Sequence, residues 1–351
     1  MKKHIGIIGG GAAGMMAAVT AARKGTKVTI LERNDRIGKK ILQTGNGKCN
    51  LGNKNLTVEC YHGGDAAWIK QALERFGTED TVCFFQKIGL LIKEKNGYLY
   101  PVSEQAASVL DVLRYELQTL GVEIIYGCKV QKVERTLSGK LVVNDGDREW
   151  QFDAVILTCG GKAAPGTGSD GSGWKIAKKA GHTCIAPVPA LVQLRCLETD
   201  LLKGIGGVRA DSRVRILCDG RETDVERGEL QLTEYGISGI PIFQLSRDVN
   251  YLLRDQKTVM AEIDFLPDMT EESYENMKKT RRMLQEKRTA EEFFTGILNK
   301  KLMSVFLKIA GIKPTTPAAE IPEDKINTSA LAISQLVWNE HLPRVARMHL
   351  E

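Results

Sequence analysis

Gly9, Gly11 and Gly14 stand at the spacing G-x-G-x-x-G, and Glu32 follows 23 residues after the first of them. Each position has its own chemistry. A glycine at 9 makes a tight turn, one at 11 lets the backbone lie against a pyrophosphate, and one at 14 lets a helix pack closely on a strand. A carboxylate at an offset of roughly 20 residues accepts hydrogen bonds from an adenosine ribose, and an acid there disfavours a 2′-phosphate. The elements needed to hold these four residues can be read around them. Residues 5–8 are apolar apart from Gly6 and read as a buried parallel strand, residues 12–24 are helix formers, and residues 27–31 read as a second strand ending at Glu32. Because the first strand runs directly into the glycines, the helix N-terminus, with its unpaired N–H groups and positive dipole end, faces whatever lies across them. Gly25 closes the helix. Strand, glycines, helix, strand and terminal acid together predict a dinucleotide site.

Composition bounds the rest. A chain of 351 residues, 42% hydrophobic and 26% charged, buries a large core and is long enough for two or more domains. The net charge of +6, from 49 basic against 43 acidic residues, is a mild excess, much of it in one helical region, so no nucleic-acid partner is inferred. The eight cysteines (49, 60, 83, 128, 159, 184, 196 and 218) form no C-x-x-C pair, and the five histidines are scattered. Neither a zinc site nor a disulfide framework is expected, and no metal ligand is assigned. Met1 to His4, followed by apolar and small residues to Ala22, has the outline of a signal peptide or membrane span. Its richness in Gly and Ala rather than Leu, and its passage into a second strand, argue against both. The expectation is a cytoplasmic protein with reduced thiols and no membrane partner.

Further along, residues 33–50 (RNDRIGKKILQTGNGKCN) hold too many Gly and Asn residues for a regular element, and loops of this length in a compact domain are usually functional. Arg36, Lys39, Lys40 and Lys48 would place positive charge beside the pyrophosphate, while Gly45 and Gly47 would permit close approach to a flat ligand. Residues 65–121 read as mostly helical, with a strand pair near 90–100 and a helix entered at Ser103. Strands are expected over 122–126 and 129–135, with a hairpin through Ser138-Gly139 and residues 145–147. Residues 152–161 (FDAVILTCGG) read as another buried strand ending in glycines, with Cys159 as a small buried residue rather than a redox thiol. Residues 165–173 (PGTGSDGSG) precede a helix over 174–180 and are a further candidate for lining a ligand. Beyond Pro187, strands over 191–196, 212–218, 221–225 and 229–232 suggest an inserted β domain. Residues 270–310 read as helical and lysine-rich, with Lys278, Lys279, Lys287, Lys300 and Lys301 on a solvated face.

The segments GIIGGGAAGMMAA, ILQTGNGKCNLGN, YLYPVSEQA, DAVILTCGGKAAPGTGSDGSGWKIAKKAGH, PALVQL and GELQLTEYGISG resemble, in order and spacing, the BaiN-like (YhiN-like) family of FAD-dependent oxidoreductases, from Ile5 to about Lys313. The resemblance implies an α/β fold of four parts. A Rossmann-like FAD-binding domain of the two-dinucleotide-fold type would span 1–188, an inserted β-barrel-like domain 189–265, a small helical subdomain 266–325 and an atypical tail 326–351. The flavin would lie in a deep groove between domains. Gly9, Gly11, Ala12, Ala13 and Gly14 would cradle the pyrophosphate and Glu32 would hold the ribose, with Arg33 and Lys40 counted beside them. Asn46, Gly47, Lys48, Cys49 and Asn50 match the loop passing the flavin, and Val130 the strand whose backbone meets the adenine. Thr158, Cys159, Gly160 and Gly161 match the returning strand.

Cys159 stands where the family pattern has Ala or Thr, and Glu234 where it often has His. After Pro317 nothing resembles the family's late A-G-E…G-G-Y-N segment, so the expectation is a truncated or frame-shifted chain lacking the segment that closes the flavin site.

The family is assigned to reduction of conjugated 3-oxo bile-acid intermediates or to amine oxidation. The implied activity is hydride transfer between NAD(P)H, FAD and a small organic molecule such as a 3-oxo bile-acid or steroid-like enone. The flavin carries the electronic difficulty and the protein orients, excludes water and supplies a proton. An amine oxidase of the aminoacetone type and a non-catalytic flavin-binding protein are the alternatives. No Ser/His/Asp constellation stands out, so no catalytic residue is assigned. Cys49 is expected near the isoalloxazine without a redox role, and the oligomeric state is left open.

Overall fold

The structure, a computed structural model, describes residues 2–44, 47–197, 202–284, 287–322 and 346–349. The chain divides into two compact units, Met1–Ile185 and Ala186–Glu351. The first is built on β1 (His4–Ile8), α1 (Ala12–Arg23) and β2 (Lys27–Leu31), followed by α2 (Lys39–Leu42) and β3 (Gly52–Asn53). Then come α3 (Ala66–Arg75), α4 (Thr78–Lys87), β4 (Ile92–Lys95), β5 (Tyr98–Pro101), α5 (Ala106–Thr119) and β6 (Glu123–Ile125). A meander of β7 (Lys132–Arg135), β8 (Leu141–Asn144) and β9 (Glu149–Phe152) leads to β10 (Ala154–Leu157) and α6 (Ser172–Lys179).

The central sheet runs β10-β1-β2-β6, every pair parallel. Alternate residues of its strands serve opposite faces. Ile7, Val28 and Ile30 meet Met15, Ala18 and Val19 of α1 and Val109, Leu110, Leu113 and Leu117 of α5. Ile8 and Leu31 meet Val143 and Phe152 of the meander. Gly6 makes that second layer possible, since a Cβ there would stand 2.5 Å from the Phe152 ring. Thr29 is buried in β2, and its hydroxyl donates to Glu123 Oε2 at 2.9 Å and lies 2.8 Å from His4 Nε2.

Two sequence expectations are corrected here. The returning strand β10 is an edge strand rather than a buried one: among the described residues only β1 pairs with it, and Ile156 and Leu157 remain more than a third exposed. The helix expected from Ser103 begins at Ala106, because Glu104 takes φ +53° and a left-handed residue cannot continue a helix backwards. Ser103 Oγ instead accepts from Gln105 N at 3.4 Å.

The second unit contains β11 (Leu194–Arg195), β12 (Arg209–Cys218), β13 (Arg221–Thr233), β14 (Gly236–Gly239), α7 (Ile240–Arg254) and β15 (Val259–Asp264). It continues through α8 (Glu271–Leu284), α9 (Ala290–Phe294), α10 (Lys300–Ile309) and β16 (Ala346–His349). Its sheet runs β11-β14-β13-β12-β15-β16. Residues 221–233 form one strand, not the two expected. Glu226, Arg227 and Gly228 stay in register with Val214, Arg213 and Ser212, and Arg227 ties down Asp211 and Asp268 at 2.7 and 2.6 Å. Sheet and helices share a core in which Val214, Ile216, Leu230 and Ile263 join Phe293, Phe294 and Phe306. Lys278, expected on a solvated face, is only 5% exposed, with its ammonium 2.5 Å from Glu275 and 5.3 Å from the Tyr274 ring centre. Apart from β16, the expected atypical tail lies outside the described residues. Among the described residues no helix is long and apolar enough to cross a membrane.

Candidate functional site

A cavity of about 440 Å³ opens in the first unit at the C-terminal ends of β1, β2 and β10. This is where open parallel sheets bind ligands, and the size falls in the range of roughly 300–1,000 Å³ usual for small-molecule sites. Of the residues singled out from the sequence, Gly9, Gly11, Ala12, Ala13, Glu32, Arg33, Lys40, Cys49, Val130, Thr158, Cys159 and Gly160 line it. Gly14, Gly47, Lys48, Asn50 and Gly161 do not, and Asn46 lies outside the described residues.

The glycines divide by what a side chain would meet. At Gly14 a Cβ would stand 1.9 Å from the Gly9 carbonyl oxygen, and at Gly10 it would stand 2.3 Å from Ile37 Cγ2. Gly9 holds φ +105°. These three are required by the fold itself. Gly11 differs, because among the described residues no protein atom lies within 4 Å of its would-be Cβ and its φ of −77° suits any residue. The empty volume beside it is the cavity. Gly11 is also the N-cap of α1, and no side chain caps that helix. The first N–H groups of α1 therefore have no helical partner and suit an anion. Among the described residues, five basic side chains (Arg33, Arg36, Lys39, Lys40 and Lys129) and a single acid, Glu32, line the same space.

Glu32 is 6% exposed and fully engaged on its inner side. Its Oε2 accepts from Gly10 N at 2.7 Å, and its Oε1 from Asn34 N and Asn34 Nδ2 at 2.8 and 2.7 Å. A carboxylate offers about four lone-pair positions, so three internal donors leave room for one more, which a ribose hydroxyl could fill. Asn34 Nδ2 also reaches Thr167 O at 3.1 Å, and Arg33 Nη1 binds Asp170 Oδ2 at 2.7 Å. Arg33 and Ser172 hold the Asp170 carboxyl well below the usual carboxylate range. The segment after β2 is thus tied to the glycine-rich loop 165–173, and Thr167, Gly168 and Ser169 of that loop line the cavity.

Reasoning from sequence missed Asn34 and Cys128. An Asn two residues after the acid is the only hint of the first, through its habit of bonding nearby backbone. Cys128 gives no such hint, since its place in the cavity follows from its N–H donating to Glu32 O at 2.9 Å.

Three thiols line the cavity. Burial raises all of them: Cys49 upward, Cys159 to about 11, and Cys128, with Asp145 adding to the effect, to about 12. All three are therefore neutral at physiological pH and poor nucleophiles. Iodoacetamide at pH 8 should label the exposed Cys60 and Cys83 well before Cys49, Cys128 or Cys159, as read by peptide mass spectrometry. Labelling of Cys159 at the rate of Cys60 would overturn this assignment.

Lys48 turns away from the cavity to Glu104, which also accepts from Lys93 at 2.5 Å. The two ammonium groups hold the Glu104 carboxyl at about 2. Cys49, next in the chain, takes φ +57°, and its N–H donates to Thr44 Oγ1 at 3.1 Å.

The HI0933-like protein Rossmann domain family matches residues 3–299. The 3-dehydro-bile acid delta(4,6)-reductase of Clostridium scindens is 43% identical over 320 residues, 91% of this chain and 78% of that protein. A ribosomal RNA dihydrouridine synthase of Haemophilus influenzae is 31% identical over 307 residues, 86% of this chain and 73% of that protein. Among solved structures, the 3-ketosteroid-delta4-(5alpha)-dehydrogenase of Rhodococcus jostii RHA1 shares 16% identity at a TM-score of 0.45, covering 90% of this chain and 79% of that one. The chain belongs to the HI0933-like family, the BaiN-like group of FAD-dependent oxidoreductases that its motifs resemble.

Proposed function

We propose that this flavoenzyme reduces a carbon–carbon double bond conjugated to a ketone in a 3-oxo bile acid or similar steroid-like molecule, with NAD(P)H as the electron donor. The observation that carries the reading is the 43% identity, over 91% of the chain, to a reductase named for such a substrate. In the reaction a hydride reaches the β-carbon of the enone and a proton its α-carbon, while NAD(P)H is oxidised to NAD(P)⁺, two electrons on each side. Bound FAD supplies the two-electron relay between donor and enone. The chain's own contribution is to hold it. Gly11, Ala12 and Ala13 offer N–H groups and close approach to the pyrophosphate, Glu32 accepts from the ribose, and Arg33 and Lys40 offset the phosphate charge.

The experiment is anaerobic incubation of the FAD-loaded chain with NADH or NADPH and a 3-oxo-4,6-diene bile acid. The expected product carries two added hydrogens, read by mass spectrometry.

A second reading comes from the 31% identical rRNA dihydrouridine synthase. The C5=C6 bond of uracil is conjugated to its C4 carbonyl, so reducing it is the same polarised hydride transfer on a different carrier. Two added hydrogens in rRNA uridines, with the bile acid untouched, would establish that reading and overturn the first.

A further inference from the structure

We infer that a second hollow of the first unit, about 450 Å³ in volume, seats the apolar body of the substrate, an uncharged fused-ring skeleton bearing a conjugated ketone. The inference rests on the enone-reductase reading and gives it a place. Leu56, Tyr61, Leu73 and Phe76 form its apolar wall, and Asn50 and Thr78 its polar end. It lies beside the cofactor cavity in the chain: Cys49 lines the cavity and Asn50, the next residue, lines the hollow. One short piece of backbone is the wall of both.

That wall is held from behind. Leu51 N donates to Leu99 O at 2.8 Å, Gly52 and Asn53 pair with Leu99 and Tyr98 of β5, and Thr78 Oγ1 donates to Asn53 O at 3.1 Å. The hollow is thus preformed, as ligand sites usually are. Its aromatic residues are in the wrong place for a purely structural role. Tyr61 is 43% exposed and Phe76 46%, both turned to an open concavity and belonging to none of the hydrophobic cores among the described residues. Exposed apolar surface gathered in a groove marks a binding site more often than scattered surface residues do.

The polar end adds direction. Asn50 Oδ1 accepts from Gly52 N at 2.9 Å, which fixes the amide, and among the described residues its Nδ2 has no partner. That N–H₂ group is a donor suited to a ketone oxygen. Among the described residues no charged side chain lines the hollow. A site for a nucleic-acid strand would carry Lys or Arg against the phosphates, so the lining favours a neutral ring system over RNA.

The test uses the FAD-loaded full chain with a 3-oxo-4,6-diene bile acid and compares Phe76→Ala and Tyr61→Ala with the parent. Both residues are more than two-fifths exposed and belong to no core among the described residues, so the variants should keep the parent's FAD content and melting temperature. Each should raise KM about tenfold with kcat changed less than about twofold, the loss expected when one aromatic contact to a ligand is removed. Asn50→Asp, which replaces the donor with an acceptor, should weaken binding of the same compound in equilibrium dialysis. A parent that reduces the bile acid while all three variants keep its KM and affinity would overturn the hollow alone. A parent that neither binds nor reduces it would overturn the functional reading and the hollow with it. Variants that instead lose affinity for a uridine-containing RNA hairpin would reassign the hollow to a different ligand.

Discussion

Gly11→Val should purify colourless, with the apo fold intact. The two halves of that result separate a ligand requirement from a folding requirement, which the glycine spacing cannot do by itself. Among the described residues a valine at 11 meets no protein atom within 4 Å of its Cβ, and its φ of −77° is an ordinary value. The cost to the protein is the poorer N-cap, about 1 kcal/mol, which for a unit of this size lowers the melting temperature of the apo form by a few degrees. The cost to the cofactor is far larger, because the added branches fill the space in which a pyrophosphate would approach the N–H groups opening α1. Gly14→Ala supplies the contrast. Its Cβ would lie 1.9 Å from Gly9 O, so helix and strand must separate and the protein should fold poorly with or without FAD. If Gly11→Val retained the parent's flavin absorbance, the pyrophosphate would lie elsewhere.

The contrast between these two glycines also shows where the sequence could be read and where it could not. The order β1, glycine turn, α1, β2 and Glu32 was legible because each element has a local signature: an apolar run, helix formers, and an acid closing a strand. What was not legible depends on residues far apart in the chain. Whether β10 is buried depends on which strand flanks it, and FDAVILTCGG carries the same apolar pattern in either case. Glu104 gives no warning that it will adopt φ +53°, a conformation its residue type rarely takes, and its two partners, Lys48 and Lys93, lie far from it in the chain. The unbroken β13 is similar. The expected strands left a gap over 226–228, yet these residues stay paired with β12, and Arg227 also bonds Asp211 on that strand and Asp268. At the cavity, the glycines and the helix start could be read from residue types, and they are what point to an anion there. Cys128 arrives there through a tertiary contact that leaves no pattern in the chain, and Asn34 leaves only the faint one of an Asn two residues after the acid.

Glu32→Gln should cost both stability and cofactor, and the internal bonds of Glu32 explain why no compensating rotamer exists. The carboxylate accepts from Gly10 N on one oxygen and from both Asn34 N and Asn34 Nδ2 on the other. A glutamine has one acceptor oxygen. If its NH₂ turns toward Gly10, two donors face each other and the buried Gly10 N–H is left unpaired. If it turns toward Asn34, the Asn34 amide must flip to offer its own oxygen, which breaks its bond to Thr167 O and releases loop 165–173. Either arrangement forfeits a hydrogen bond to a charged group, worth about 2 kcal/mol, or several degrees in melting temperature. A neutral amide oxygen is also a weaker acceptor for a ribose hydroxyl than a carboxylate. FAD affinity should therefore fall by about one to two orders of magnitude, at 1.4 kcal/mol for each tenfold. Asn34→Ala isolates the first effect. It removes the Asn34 amide while leaving the carboxylate, so it should lower the melting temperature and keep FAD affinity within about threefold. Titrating FAD into the three apo proteins decides the matter. Parent-like affinity in Glu32→Gln, whatever its melting temperature, would mean that Glu32 only braces the glycine turn and takes no part in holding the ribose.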